Sequence, residues 1–234
     1  MTKEIKIPVK KDQFVDARLY IPKKIKRAVI CCHGFALDRD GPSGLFADLA
    51  EVLVEKNTLV VLFQFREFQY TKKFNLFDNF QDLRMVVNWV KKKTGNIDLV
   101  GHSLGGLVSL VIAVEDVAVR RLVLWAPPLR LRVPKNARKL MKMYAVSPSQ
   151  VFVVILKLLF SRKPINVQRY FAGLNNRPVF IVYGTEDQFS SYEEILQLEK
   201  YKNIEYLKIA GMDHYFASYK KEVFEKTLNW LGQE

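Results

Sequence analysis

The sequence predicts an α/β fold: an eight-stranded, mostly parallel sheet flanked by helices, with a helical cap inserted after the sixth strand. Three observations carry this expectation. Short apolar, β-branched runs recur eight times along the chain. From the third onward they are nearly continuous, as in strands covered on both faces. Stretches with an apolar stripe at helical spacing fill most of the gaps, and strand–helix alternation is the pattern of a parallel sheet. One interval, residues 128–177, far exceeds the roughly dozen residues that a plain crossover needs.

The elements follow in chain order. Residues 4–9 and 16–21 read as two strands joined by a short link, hence an antiparallel start, and Pro22 ends the second. Arg27–Cys32 and 58–65 read as buried strands, with Leu45, Leu49 and Leu53 placing Leu45–Glu55 on a helix between them. Phe80, Leu83, Val87 and Val90 form the stripe of a helix over 79–93, ahead of a strand at 97–100. Residues 104–114 are apolar nearly all round, which marks a buried helix. Strands at 121–126, 178–183 and Ile204–Ile209 follow, then a helix at 217–231 with Val223, Leu228 and Leu231 inward. Residues 1–127 and 178–234 are thus expected to form the core. The cap at 128–177 is expected to hold helices at 135–144, 149–160 and 167–174.

The formal charge of +13 is not spread evenly. Residues 1–116 hold 18 basic and 14 acidic side chains, 186–234 hold 6 and 10, and 117–185 hold 13 basic and none acidic. The excess therefore belongs to one segment, mostly the cap, where it keeps greasy surface soluble or meets an anionic partner. That segment carries no nucleic-acid-binding motif, so no nucleic acid is expected. A greasy Lys/Arg-rich helical segment is the composition of an interfacial helix, which leaves peripheral membrane contact open. Its longest apolar run, 151–160, is too short to span a bilayer, which needs about 20 residues. The first residues lack the apolar stretch of a signal peptide. Cys31 and Cys32 are adjacent, without disulfide or zinc-site spacing, so a reducing, cytoplasmic setting and no metal are expected.

The strongest local signal is Gly101-His102-Ser103-Leu104-Gly105, set between an apolar run and a helix. G-x-S-x-G in a strand–turn–helix context is a nucleophile elbow, in which glycines spare clashes at a strained turn. A serine needs a base. Of the three histidines, His33 follows the third strand, and His102 sits beside Ser103, where its ring cannot easily reach back. His214, in the loop after the last strand, is the remaining candidate. The base needs a carboxylate to orient it. Glu186 and Asp187 both lie just past the seventh strand, where open α/β sheets place their sites. Asp187 is preferred, although an Asp there also suits a simple turn. Asp213 is a poor choice, since sequence neighbours point apart. For the oxyanion, the N–H of Leu104 directly follows the nucleophile, and that of Phe35 in His33-Gly34-Phe35 follows the third strand.

With H-G-F at 33–35 and G-H-S-L-G-G at 101–106, the chain resembles the α/β-hydrolase superfamily over essentially its whole length. Among its members it is similar to carboxylesterases of the cinnamoyl-esterase and monoacylglycerol-lipase type. The triad order Ser103, Asp187, His214 is the family's order. The resemblance implies a cofactor-free serine hydrolase that cleaves a small to medium apolar acyl or aryl ester through an acyl-enzyme. Lipase-like or thioesterase action at a membrane surface through the basic cap is the alternative, and either a monomer or a homodimer fits. One departure stands out. After the fourth strand such relatives often read F-D-F-R-G-x-G-x-S, whereas this chain reads Phe63-Gln64-Phe65-Arg66-Glu67-Phe68-Gln69-Tyr70. Arg66 is kept; the acid and glycines are gone, and Phe68 and Tyr70 are added where they could narrow an acyl pocket.

Overall fold

The structure is a computed structural model that describes residues 1–35, 37–66, 76–129, 167–190 and 192–233. Eight strands form one sheet: β1 (Thr2–Lys10), β2 (Gln13–Tyr20), β3 (Arg27–Cys32), β4 (Thr58–Phe63), β5 (Ile97–His102), β6 (Val119–Trp125), β7 (Val179–Gly184) and β8 (Ile204–Ile209). Their spatial order is β1-β2-β4-β3-β5-β6-β7-β8. β2 is antiparallel to both β1 and β4, and every other neighbouring pair is parallel. The eight-stranded, mostly parallel architecture is the one expected.

Helices cover both faces. Their order is α1 (Leu45–Glu55), α2 (Leu76–Lys91), α3 (Leu104–Glu115), α4 (Val167–Ala172), α5 (Tyr192–Leu196) and α6 (Lys220–Gly232). Successive side chains of a strand point to opposite faces, and the core divides accordingly. Ala28, Ile30 and Cys32 of β3 join β4's Leu59, Val61 and Phe63 in the layer packed by α2, α3 and α4. Val29, Cys31, Val60 and Leu62 join the layer packed by α1 and α6. The adjacent cysteines thus lie on opposite faces, which is why neither can pair with the other. α3 is buried from Leu104 through Ala113. The last helix expected in the cap appears as α4, with Val167 and Phe171 in the core. The other expected cap helices, at 135–144 and 149–160, lie outside the described residues, as do Glu67, Phe68, Gln69 and Tyr70. Among the described residues, no helix is long and apolar enough to cross a membrane.

Several ends differ from expectation for physical reasons. β5 runs on to His102 because Gly101 and His102 pair with Leu124 and Trp125 of β6. β1 begins at Thr2, whose partner is Tyr20. β4 stops at Phe63, where the chain turns so that Phe65 meets His33 and Arg66 meets Asp82. α6 starts at Lys220, after Tyr219 takes the position before the first turn.

The N-terminal end of the parallel strands is closed by charge. Asp98 on β5 is fully buried. Its carboxylate meets Arg121 at 2.7 Å and Arg27 at 3.7 Å. The two guanidiniums in turn donate to the carbonyls of Leu231 and Gln233 at the end of α6. Removing one member of such a set strands the others. Asp98→Ala should therefore lower unfolding free energy in urea by about 3 kcal/mol while leaving catalysis intact, since it lies at the opposite end of the strands from Ser103.

Candidate active site

β5 ends and α3 begins within a single residue. Ser103 has φ 51° and ψ −121°, a backbone conformation that a side chain disfavours at a cost of about 1–3 kcal/mol. Its N–H donates to the Trp125 carbonyl at 2.8 Å, so the turn is held to β6. Gly105 permits the elbow: a Cβ there would lie 2.0 Å from the Cys32 carbonyl oxygen. The serine side chain projects above the C-terminal edge of the sheet, where the loops after β7 and β8 also arrive.

There the geometry is continuous. His214 Nε2 lies 2.8 Å from Ser103 Oγ. His214 Nδ1 lies 3.0 and 2.9 Å from the two Asp187 oxygens. Asp187's side chain is wholly buried. Burial alone would raise its carboxyl pKa. His214 and the donating N–H groups of Phe189 and Ser190 outweigh this and hold it below the ordinary value. An ionised carboxylate only accepts, so His214 Nδ1–H donates to it. Nε2 is then bare and accepts the Ser103 hydroxyl. Glu186 is exposed, and Asp213 instead accepts the N–H of Tyr215. The Phe189 ring lies 4.5 Å from that of His214 and shields it.

The loop after β3 is fixed by His33. The Phe65 N–H donates to His33 Nε2 at 3.1 Å, so the proton sits on Nδ1, 2.8 Å from the Gly34 carbonyl. Burial lowers the His33 pKa to about 4, which keeps the ring neutral. In a trans peptide the carbonyl and the next N–H point opposite ways. Gripping the Gly34 carbonyl therefore turns the Phe35 N–H away from His33. Gln64 completes the seam, lying 3.0 Å from His33 Nε2 and accepting the Arg39 N–H at 3.1 Å. Leu104 opens α3, so its N–H precedes the first intrahelical bond. Arg66 is buried against Asp82, with Gln13 and Gln81 accepting from its guanidinium, and it anchors the chain beyond Phe65.

Ser103, His214 and Asp187 are thus brought together. The roles of His33, Gln64 and Phe189 carried no sequence signal, since each depends on a tertiary partner. Burial pushes the Cys32 thiol up to about 12 and raises Cys31 as well, so both stay protonated at neutral pH.

The profile of one family, serine aminopeptidase S33, matches residues 23–172, well over half of the chain and including the elbow. The chain belongs to the serine aminopeptidase S33 family. It is accordingly a serine hydrolase of α/β-hydrolase fold. The matched span of the S33 family ends before Asp187 and His214, so their geometry is evidence separate from it. Among solved structures, Est1E from Butyrivibrio proteoclasticus is 21% identical, with a TM-score of 0.73 and 97% of each chain covered. The Pyrococcus furiosus esterase Pf2001 is 21% identical, with a TM-score of 0.74, covering 99% of this chain and 92% of that one. An alpha-beta serine hydrolase homologue from Coxiella burnetii is 20% identical, with a TM-score of 0.66, covering 98% and 97%. At these identities the likeness is one of fold. No curated protein matches the sequence.

Proposed function

We propose that this S33 family member is a carboxylesterase in which Ser103 is the nucleophile, His214 the general base and Asp187 its orienting carboxylate. The observation that carries the reading is the unbroken run of hydrogen bonds from Ser103 Oγ through His214 to Asp187. Ser103 Oγ attacks the ester carbonyl carbon as His214 Nε2 takes its proton. The N–H groups of Phe35 and Leu104 bind the resulting oxyanion. His214 returns the proton to the leaving alcohol as the carbonyl–oxygen bond breaks, giving an acyl-Ser103. Water, deprotonated by His214, then attacks that acyl carbonyl; the bond to Ser103 Oγ breaks, Oγ takes the proton back from His214, and the acid leaves.

A small to medium apolar acyl or aryl ester suits the reading. One solved neighbour is Est1E with ferulic acid bound, and another is named an esterase. Residues 1–127 and 178–234 form the hydrolase core in this proposal, with 128–177 as the cap over Ser103. The acid-free basic stretch 117–185 favours a second reading, hydrolysis of lipid-like esters at an anionic surface. A panel of p-nitrophenyl esters of rising chain length, run beside amino-acid p-nitroanilides, tests both. Turnover should be highest on the short or aryl esters and negligible on the anilides. A preference for long acyl chains that grows with anionic vesicles would favour the surface reading, and fast anilide turnover would overturn the esterase assignment.

A further inference from the structure

His102 takes no step in that mechanism, yet it lies within its centre and is 1% exposed. Its ring sits 5.0 Å from that of His214 and edge-on at 5.4 Å to that of Phe216. Its Nε2 lies 2.9 Å from the backbone oxygen of His214. A carbonyl oxygen only accepts, so Nε2 carries the proton and Nδ1 is bare. Among the described residues, Nδ1 is buried without a hydrogen-bond partner, and it faces Gly34. A Cβ at position 34 would come within 2.7 Å of it and 3.1 Å of Ser103 Cβ. One ring therefore touches the elbow, the base and the oxyanion loop.

A buried, unpaired nitrogen is unfavourable, and a phenyl ring would fill the same space without one. Packing alone therefore does not explain a histidine here; its other nitrogen does. Residues 211–216 belong to no strand or helix; the Glu186 and Tyr219 N–H groups hold the carbonyls of Met212 and Phe216 on either side, and His102 Nε2 meets that of His214 itself. From this juxtaposition we infer that His102 is a positioning residue, whose Nε2–H holds the backbone of His214 so that its ring meets Ser103. The inference rests on the hydrolase reading above. Burial also lowers the His102 pKa to about 3, so no second positive charge arises beside His214 when that ring becomes an imidazolium.

The test compares wild type with His102→Phe and His102→Gln. Active sites are counted with a fluorophosphonate probe, and folding is checked by circular dichroism. Phe keeps the ring and loses the donor; Gln keeps a terminal N–H at similar reach. In His102→Phe, kcat per labelled site should fall about 10–100-fold with KM within about 2-fold, and His102→Gln should recover kcat to within about 5-fold. Unchanged kcat in a folded, labelled His102→Phe would overturn the inference, and so would a Gln variant as slow as the Phe variant. Wild type alone gives a second readout. With three histidines in the chain, long-range ¹H–¹⁵N spectra should show the proton of His102 on Nε2 and those of His33 and His214 on Nδ1. A His102 proton on Nδ1 would overturn the inference even if no variant folds. A folded wild type that takes no fluorophosphonate would overturn the hydrolase reading and this inference with it, whereas the other outcomes bear on His102 alone.

Discussion

Ser103→Ala will lower kcat for p-nitrophenyl ester hydrolysis by about 10⁶-fold and abolish fluorophosphonate labelling. The size follows from how the site is built. Oγ is the group that Nε2 faces, at 2.8 Å, and the buried thiols nearby are protonated at neutral pH. With the hydroxyl gone, His214 loses the group whose proton it would take. What remains is oxyanion binding and orientation, worth roughly 10³–10⁴ over the uncatalysed reaction. Circular dichroism and the thermal midpoint should stay near wild type, because alanine keeps the Cβ and loses only a partly exposed oxygen. A folded variant that retains more than about 1% of the activity would mean that another group carries the reaction.

Asp187→Asn will cost about 10⁴-fold in kcat while leaving the probe able to label Ser103 slowly. An amide in this position can donate to His214 Nδ1, which moves the ring proton to Nε2 and points it at Ser103. The base is then in the wrong tautomer even though every atom is nearly in place. The same residue ties activity to stability. Its folded-state pKa is depressed by His214 and two backbone N–H groups, against the upward pull of burial. A depressed pKa stabilises the folded state fully above the unfolded carboxylate value of about 3.9, and the contribution is lost as pH falls through the folded value. The stability gap between wild type and Asp187→Asn should therefore be full at neutral pH and should narrow below about pH 4 in urea titrations. A gap that stayed constant to lower pH would show that this carboxylate is not the ionised partner of His214.

Most of the fold was legible because β3 to β7 are buried on both faces, and Val60–Leu62 or Leu122–Leu124 can hardly read as anything else. Where reading stopped short, the ladder included residues without strand character. Gly101 and His102 are strand residues only because β6 lies beside them. The place of β2 against β4 rather than β3 is likewise absent from local pattern, since it depends on which sheet edge the chain returns to. The short helix α5 went unread because five residues cannot display a periodicity. In the site, Ser103, Asp187 and His214 stood out by falling just after strands, since a parallel sheet gathers those positions at one edge. His33, Gln64, Phe189 and His102 did not, because each acts through a partner far away in sequence. The charge pattern was fully visible, but most of the stretch that carries it lies outside the described residues.

The torsion at Ser103 has a consequence for anyone selecting variants of this protein. A residue with φ near 51° and a side chain resists the shape that its neighbours impose, while glycine accepts it freely. A screen that rewards only heat resistance would thus favour glycine at position 103, and its winners would be robust proteins without the nucleophile proposed above. Durability and turnover pull in opposite directions at this one bond, so libraries built on this scaffold need a catalytic readout from the first round.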